Sequence, residues 1–253
     1  MTLPFQPELW GIKINVHLIL EYLAFFVAYQ YYRKLRDPLK DPISSNNRLS
    51  IILGASIGAL VGSRLIGILE NPLADFSKYS LLQIFNAKTI MGGLFGGLLG
   101  VEIAKRIIGE RQRSGDLFTL PIIAGIFIGR VGCFLAGTSE FTYGIPTDLF
   151  TGMDLGDGLT RHPLALYELL FLLLLFLFLF RLDTLRLTRS GDLFQLFMIA
   201  YFGLRFFLEF LKPNVFLLAG LSTIQWLCVL CWIYYYRLIF RIFKYALSSL
   251  HLL

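Results

Sequence analysis

Along this chain the apolar positions fall in long, nearly unbroken blocks, with neither helical nor strand alternation inside them. The run LLFLLLLFLFLF at 169–180 offers no polar face at all. A block of about 20 apolar residues is what crosses the hydrocarbon core of a bilayer. Seven blocks meet that length, at about 15–32, 49–69, 88–106, 116–137, 163–181, 192–211 and 219–240. The pattern therefore predicts an all-α integral membrane protein with seven transmembrane helices, built as a single transmembrane domain over 1–253.

Composition agrees. The chain is 56% hydrophobic and only 16% charged, against ~25% charged residues in soluble domains. The net charge of +6 does not point to nucleic acid, because the basic residues sit in short hinges between blocks. Those hinges are asymmetric. One set of connections holds fifteen Lys and Arg and the other holds five. Positive residues stay on the cytoplasmic side, so the N-terminus is expected outside and the C-terminus in the cytoplasm. No signal-peptide pattern precedes the first block, which is expected to remain. The three cysteines make no disulfide framework, and Cys228 and Cys231 read as small buried apolar residues. The three histidines are dispersed, so neither metal nor cofactor is expected.

Arg64, Arg130 and Arg205 lie inside blocks, 15, 14 and 13 residues from the cytoplasmic starts of spans two, four and six. At 1.5 Å per residue that places all three ~20–22 Å into a ~30 Å core. Charge at such depth is costly and is either paired or functional. Guanidinium groups bind phosphate in a bidentate manner, and a phospholipid headgroup is the anion available there. A repeat supports this register. RSGDLF occurs at 113–118 and again at 189–194, each time opening an outward-running span with an Asp placed to cap it. A diverged duplication and convergent start signals both account for it.

Other polar residues gather toward the same side: His17 and Glu21, Lys88, then His162, Tyr167 and Glu168 in HPLALYE. The longest external connection, 138–162, carries Glu140, Tyr143, Asp148, Asp154 and Asp157 and is expected to cover the site, since loops of this length are commonly functional. Taken singly, these residues have plainer readings as interfacial, helix-start or loop-solvating groups, and Glu209 four residues after Arg205 is a pairing candidate. TIMGGLFGGLLG at 89–100 stacks Gly92, Gly93, Gly96, Gly97 and Gly100. These glycines suit close helix approach, or room for a lipid.

GRVGCFLAG…TYG, HPLALYE, RFFLEF and GSRL, on seven spans, resemble the prolipoprotein diacylglyceryl transferase family. The resemblance implies a bacterial cytoplasmic-membrane enzyme with its site toward the outer leaflet. Such an enzyme moves the diacylglyceryl group of phosphatidylglycerol onto the lipobox cysteine at the signal peptide of a secreted prolipoprotein, releasing glycerol 1-phosphate. Membrane lipids are the other expected partners. It implies catalytic roles for Arg130 and Arg205, with His17 or Glu140 as base. The resemblance also places Arg64, Gly144, His162, Tyr167 and Glu168 at the substrate, and position in the sequence adds Lys88, Gly96, Gly97, Cys133 and Tyr143 as expected substrate-binding residues. The chain departs from the family pattern at three places. Cys133 stands where the family has asparagine after G-R-x-G, a second asparagine falls near Ala136, and Phe95 replaces a histidine before Gly-Gly. These departures keep two other readings open: the same donor with a different acceptor, and a non-catalytic lipid-binding protein.

Overall fold

The computed structural model describes residues 3–70, 87–214 and 219–250. Helices stand at every predicted block: α1 Val16–Leu35, α2 Ser45–Leu69, α3 Ile90–Ile108, α4 Asp116–Ala136, α5 Leu164–Thr184 and α6 Asp192–Leu208, then α7 Thr223–Tyr234 and α8 Tyr236–Leu250. Among the described residues, four helices are long and apolar enough to cross a membrane, and the bent pair α7–α8 makes a fifth candidate. The remaining elements are two short antiparallel ladders, β1 Glu8–Leu9 with β2 Ile12–Lys13, and β3 Met153–Asp154 with β4 Thr160–Arg161.

The continuous block expected at 219–240 is broken. At Tyr235 the chain bends by 67°. Arg237, Arg241 and Lys244 follow at i, i+4 and i+7, a basic stripe along one side of a helix. Carrying them straight on into hydrocarbon would bury charge. Glu102, inside α3, forms an i,i+3 pair with Lys105 at 3.4 Å. Cys228 and Cys231 form no disulfide and are fully buried.

The chain divides into two compact units. In the unit formed by 38–113, 198–206 and 214–253, α2 and α3 run antiparallel with glycines facing. A Cβ on Gly92, Gly96 or Gly100 would strike the carbonyl of Gly62, Gly58 or Gly54 respectively. The bulky residues of α2, among them Leu53, Ile57, Leu60 and Leu65, point outward and are exposed. Bare backbone thus sets the separation where no hydrophobic force between helices is available. Arg48 is buried in the same unit and holds Asp41 through two 2.8 Å bonds. Ser222 and Gln225 close a capping box at the start of α7.

The other unit comprises 1–37, 114–197 and 207–213. Here α1 packs antiparallel on α4, and Gly125 and Gly132 admit Ala24, Ala28, His17 and Leu20. The uniformly apolar α5 does have a buried face, formed by Leu164, Glu168, Leu172, Leu175 and Leu179. The repeated RSGDLF segments touch each other, with Gly115 against the ring of Phe194. Asp116 does not cap its own helix as expected. Its carboxylate accepts the backbone N–H of Gly191 and of Phe194, capping α6 instead.

Gly96→Val places methyl groups on the Gly58 carbonyl and is expected to lower stability by about 1–3 kcal/mol. Gly129→Ala, at a glycine with nothing within 4 Å, serves as the neutral comparison. Thermal unfolding in detergent reads both.

Candidate active site

Arg130 lies in the last third of α4 and is 5% exposed. Its Nε forms an ion pair with the carboxylate of Glu168, one turn into α5 and itself 1% exposed. This is the pairing that a charge at such a position requires. Arg130 Nη1 also reaches Cys133 Sγ, one turn further along α4, at 3.8 Å. Cys133 Sγ stands 3.6 Å from His17 Nε2, near the start of α1. The other ring nitrogen of His17, Nδ1, faces Glu140 Oε1 at 3.5 Å. Glu140, His17, Cys133, Arg130 and Glu168 therefore form one continuous polar array drawn from α1, α4, α5 and the turn after α4. The close approach at Gly132, where a Cβ would meet His17 Cδ2 at 3.2 Å, is what lets the imidazole reach the thiol.

The connection 138–162 is an ordered structure with its own hydrogen bonds. Gly144 N–H donates to the His162 carbonyl (3.0 Å), and His162 N–H donates to Ile145 (3.2 Å). Ile145 N–H donates to Leu211 at 2.8 Å. A Cβ at Gly144 would collide with His162 Cβ at 2.5 Å, so only glycine fits there. Tyr167 OH bonds Thr151 Oγ1 (2.7 Å) and His162 Nδ1 (3.2 Å). These contacts tie the loop to the first turn of α5, the turn that also presents Glu168. Asp154, expected only to solvate the loop, accepts N–H bonds from Gly156 and Gly158. Those donors, Gly156 first, hold its carboxyl below the usual carboxylate range.

The array thus joins five of the residues singled out in the sequence: Arg130, Cys133, His17, Glu140 and Glu168. His162, Tyr167 and Gly144 support the loop. Tyr143 stacks edge-on against Phe141 and lies under the Arg161 guanidinium, 5.1 Å from its ring centroid. Arg161 is one of the five Lys and Arg residues in the less basic set of connections. It also bonds Asp157 at 2.7 Å and the Gly144 carbonyl at 3.2 Å. The available signal was its place four residues after Asp157 and directly before His-Pro.

The remaining candidates lie in the other unit. Arg205 is buried on α6. Arg64 Nη1 reaches the Ala87 carbonyl at 3.5 Å, and Lys88 follows directly before α3. Contact with Gly58 accounts for the missing side chain at Gly96, whereas Gly97 has only ordinary contacts at 3.5–3.6 Å. Among the described residues, no cluster of three His, Cys, Asp or Glu side chains suits a metal ion.

The family model described as prolipoprotein diacylglyceryl transferase matches residues 4–241. The chain belongs to the prolipoprotein diacylglyceryl transferase family. Three relatives, each named phosphatidylglycerol–prolipoprotein diacylglyceryl transferase, illustrate the distance. The protein of Bordetella bronchiseptica is 33% identical over 194 residues, 72% of this chain and 69% of its own length. That of Finegoldia magna is 29% identical over 223 residues, covering 86% and 87%. That of Nitratidesulfovibrio vulgaris strain DP4 is 36% identical over 195 residues, covering 72% and 68%. Within this transferase family the array is consistent with anion chemistry: a guanidinium held in place by a carboxylate, beside a thiol and an imidazole.

Removing one member of a buried ion pair strands the other, at a cost of about 3–5 kcal/mol. Glu168→Gln is therefore expected to lower the unfolding temperature far more than Glu140→Gln, since the Glu140 side chain is 43% exposed. Differential scanning fluorimetry in detergent makes the comparison.

Proposed function

We propose that this chain transfers the diacylglyceryl group of phosphatidylglycerol to the lipobox cysteine thiol of a prolipoprotein, releasing glycerol 1-phosphate. The observation that carries this reading is the buried Arg130 array on a chain matched to the transferase family from residue 4 to 241. In the reaction the acceptor sulfur attacks the terminal glycerol carbon and the phosphate ester departs with the bonding electrons. Arg130 binds that phosphate and stabilises the charge growing on its oxygen, the stage at which a fixed donor is worth most. Glu168 keeps the guanidinium in place. His17, with Glu140 on its far nitrogen, is the base that raises the thiolate fraction of an acceptor whose ordinary pKa is ≈ 8.5.

The remaining assignments belong to the same reading. The chain crosses the bacterial inner membrane seven times, with the N-terminus outside, as the fifteen-to-five distribution of Lys and Arg favours. The site faces the outer leaflet, residues 138–162 cover it, and the acceptor is recognised at its signal peptide. Roles for Arg64 and Arg205 rest on the family resemblance and those for Lys88, Gly96 and Gly97 on their place in the sequence, and each is tested by its own substitution. A second reading keeps the lipid donor and changes the acceptor. Cys133 and Phe95, standing where the family carries asparagine and histidine, favour keeping it.

Purified protein, phosphatidylglycerol labelled in the headgroup glycerol and a synthetic lipobox peptide separate these readings. Wild type is expected to release glycerol phosphate and modify the peptide, and Arg130→Ala to reduce both by ~10²–10³-fold. Headgroup release without peptide modification selects the different acceptor. Undiminished transfer by Arg130→Ala contradicts the assignment of Arg130.

A further inference from the structure

We infer that Cys133 is a proton relay between the acceptor thiol and His17. The inference rests on the transferase reading above, and it assigns Cys133 a catalytic step where only substrate binding was expected of it.

The geometry starts at Glu140. A carboxylate has no proton to give, so the nitrogen of His17 facing it, Nδ1, is the one that carries hydrogen. In the neutral ring Nε2 is then the acceptor, and the group placed on it is Cys133 Sγ, at 3.6 Å. The basic nitrogen of His17 is occupied by this thiol, so a proton from elsewhere reaches it through the sulfur. On its other side Cys133 faces Arg130 Nη1 at 3.8 Å, a cation that stabilises negative charge on sulfur. The charged and titratable groups around the pair are His17 and Glu21 on α1, Arg130 on α4, Glu140 beyond it and Glu168 on α5. A lone buried cysteine would carry no such meaning. Here the sulfur lies between a base oriented by a carboxylate and the arginine assigned to the phosphate.

Turnover decides between relay and nucleophile. Cys133 is 8% exposed, with the imidazole and the guanidinium both against it. The adjoining cavity, bounded by Cys133, Thr142, Leu155 and Leu164, holds about 10 Å³. In-line attack by Cys133 on a lipid carbon would leave a stable thioether on the protein after one turnover. A proton needs only a hydrogen bond. In the relay the acceptor thiol gives its proton to Cys133 Sγ, and the proton of Cys133 passes to His17 Nε2. The resulting imidazolium is held by Glu140. The freed acceptor thiolate forms the C–S bond as the phosphate leaves, and the imidazolium then returns its proton to the released glycerol phosphate or to water.

The test combines three readouts on the full chain in detergent. First, the rate of alkylation of Cys133 by iodoacetamide in the absence of substrate reads the pairing alone. His17→Phe is expected to slow it at least tenfold at neutral pH, and an equal rate overturns the pairing whether or not the protein transfers lipid. Second, with phosphatidylglycerol and the lipobox peptide, Cys133→Ala is expected to lower kcat ~10²-fold or more, as loss of a general base does, with KM for the lipid nearly unchanged. Cys133→Ser, closer in size, guards against a folding defect and is expected to retain more activity than Cys133→Ala. Wild-type kcat in Cys133→Ala overturns the relay. Third, kcat measured across H₂O–D₂O mixtures is expected to curve in wild type, where two protons move, and to become linear in Cys133→Ala. A linear wild-type plot, or a diacylglyceryl adduct on Cys133 by mass spectrometry, contradicts the relay. A wild type that releases no headgroup and modifies no peptide refutes the transferase reading, and the relay falls with it even where the alkylation result shows the pair intact.

Discussion

A positive charge held inside an apolar helix bundle is the constraint around which this unit is arranged. An arginine away from water must find an anion at once, and Arg130 finds Glu168 on the neighbouring helix. That pairing fixes which face of α5 is buried, although the sequence of α5 is apolar all round. It also fixes the orientation of the guanidinium, leaving Nη1 directed at Cys133. The loop after α4 is tied by Tyr167 and His162 to the same end of α5. Ion pair, loop and imidazole therefore converge on one short stretch of α4.

Close approach depends on glycine in both units, for different ends. On α2 and α3, glycines at i, i+4 and i+8 let two backbones touch along their length. On α4, Gly132 admits the imidazole of His17 and Gly125 admits Ala24 and Ala28. Without a hydrophobic drive between helices in lipid, such backbone contacts are a main source of association. Many bulky side chains, among them Leu53, Ile57, Leu60 and Leu65 on α2, point outward, where an aqueous protein would carry charge.

Much of this was legible beforehand. Block length located α1 to α7, because crossing an apolar layer demands a fixed number of residues, while most of α8 lies beyond the last block. Arg130, His17, Glu140, Cys133 and Glu168 were all named from the sequence. What could not be read was their connection. Cys133 looked like a replacement for a polar residue, and only the packing of α1 on α4 places its sulfur between His17 and Arg130. The buried face of α5 was hidden because twelve nearly identical apolar residues carry no period. Asp116 was read as the cap of its own helix and caps α6 instead, since a carboxylate at a helix start can serve any nearby N–H. The break at Tyr235 escaped because aromatic residues on both sides of it keep the block apolar.

The central claim is that Arg130 holds the donor phosphate. A structure of the protein with phosphatidylglycerol bound tests it most directly. The account predicts phosphate oxygens within hydrogen-bond distance of the Arg130 guanidinium, with the terminal glycerol carbon open to an incoming sulfur. A phosphate bound away from Arg130, with the Arg130–Glu168 pair untouched, would contradict it and leave Arg130 a structural charge.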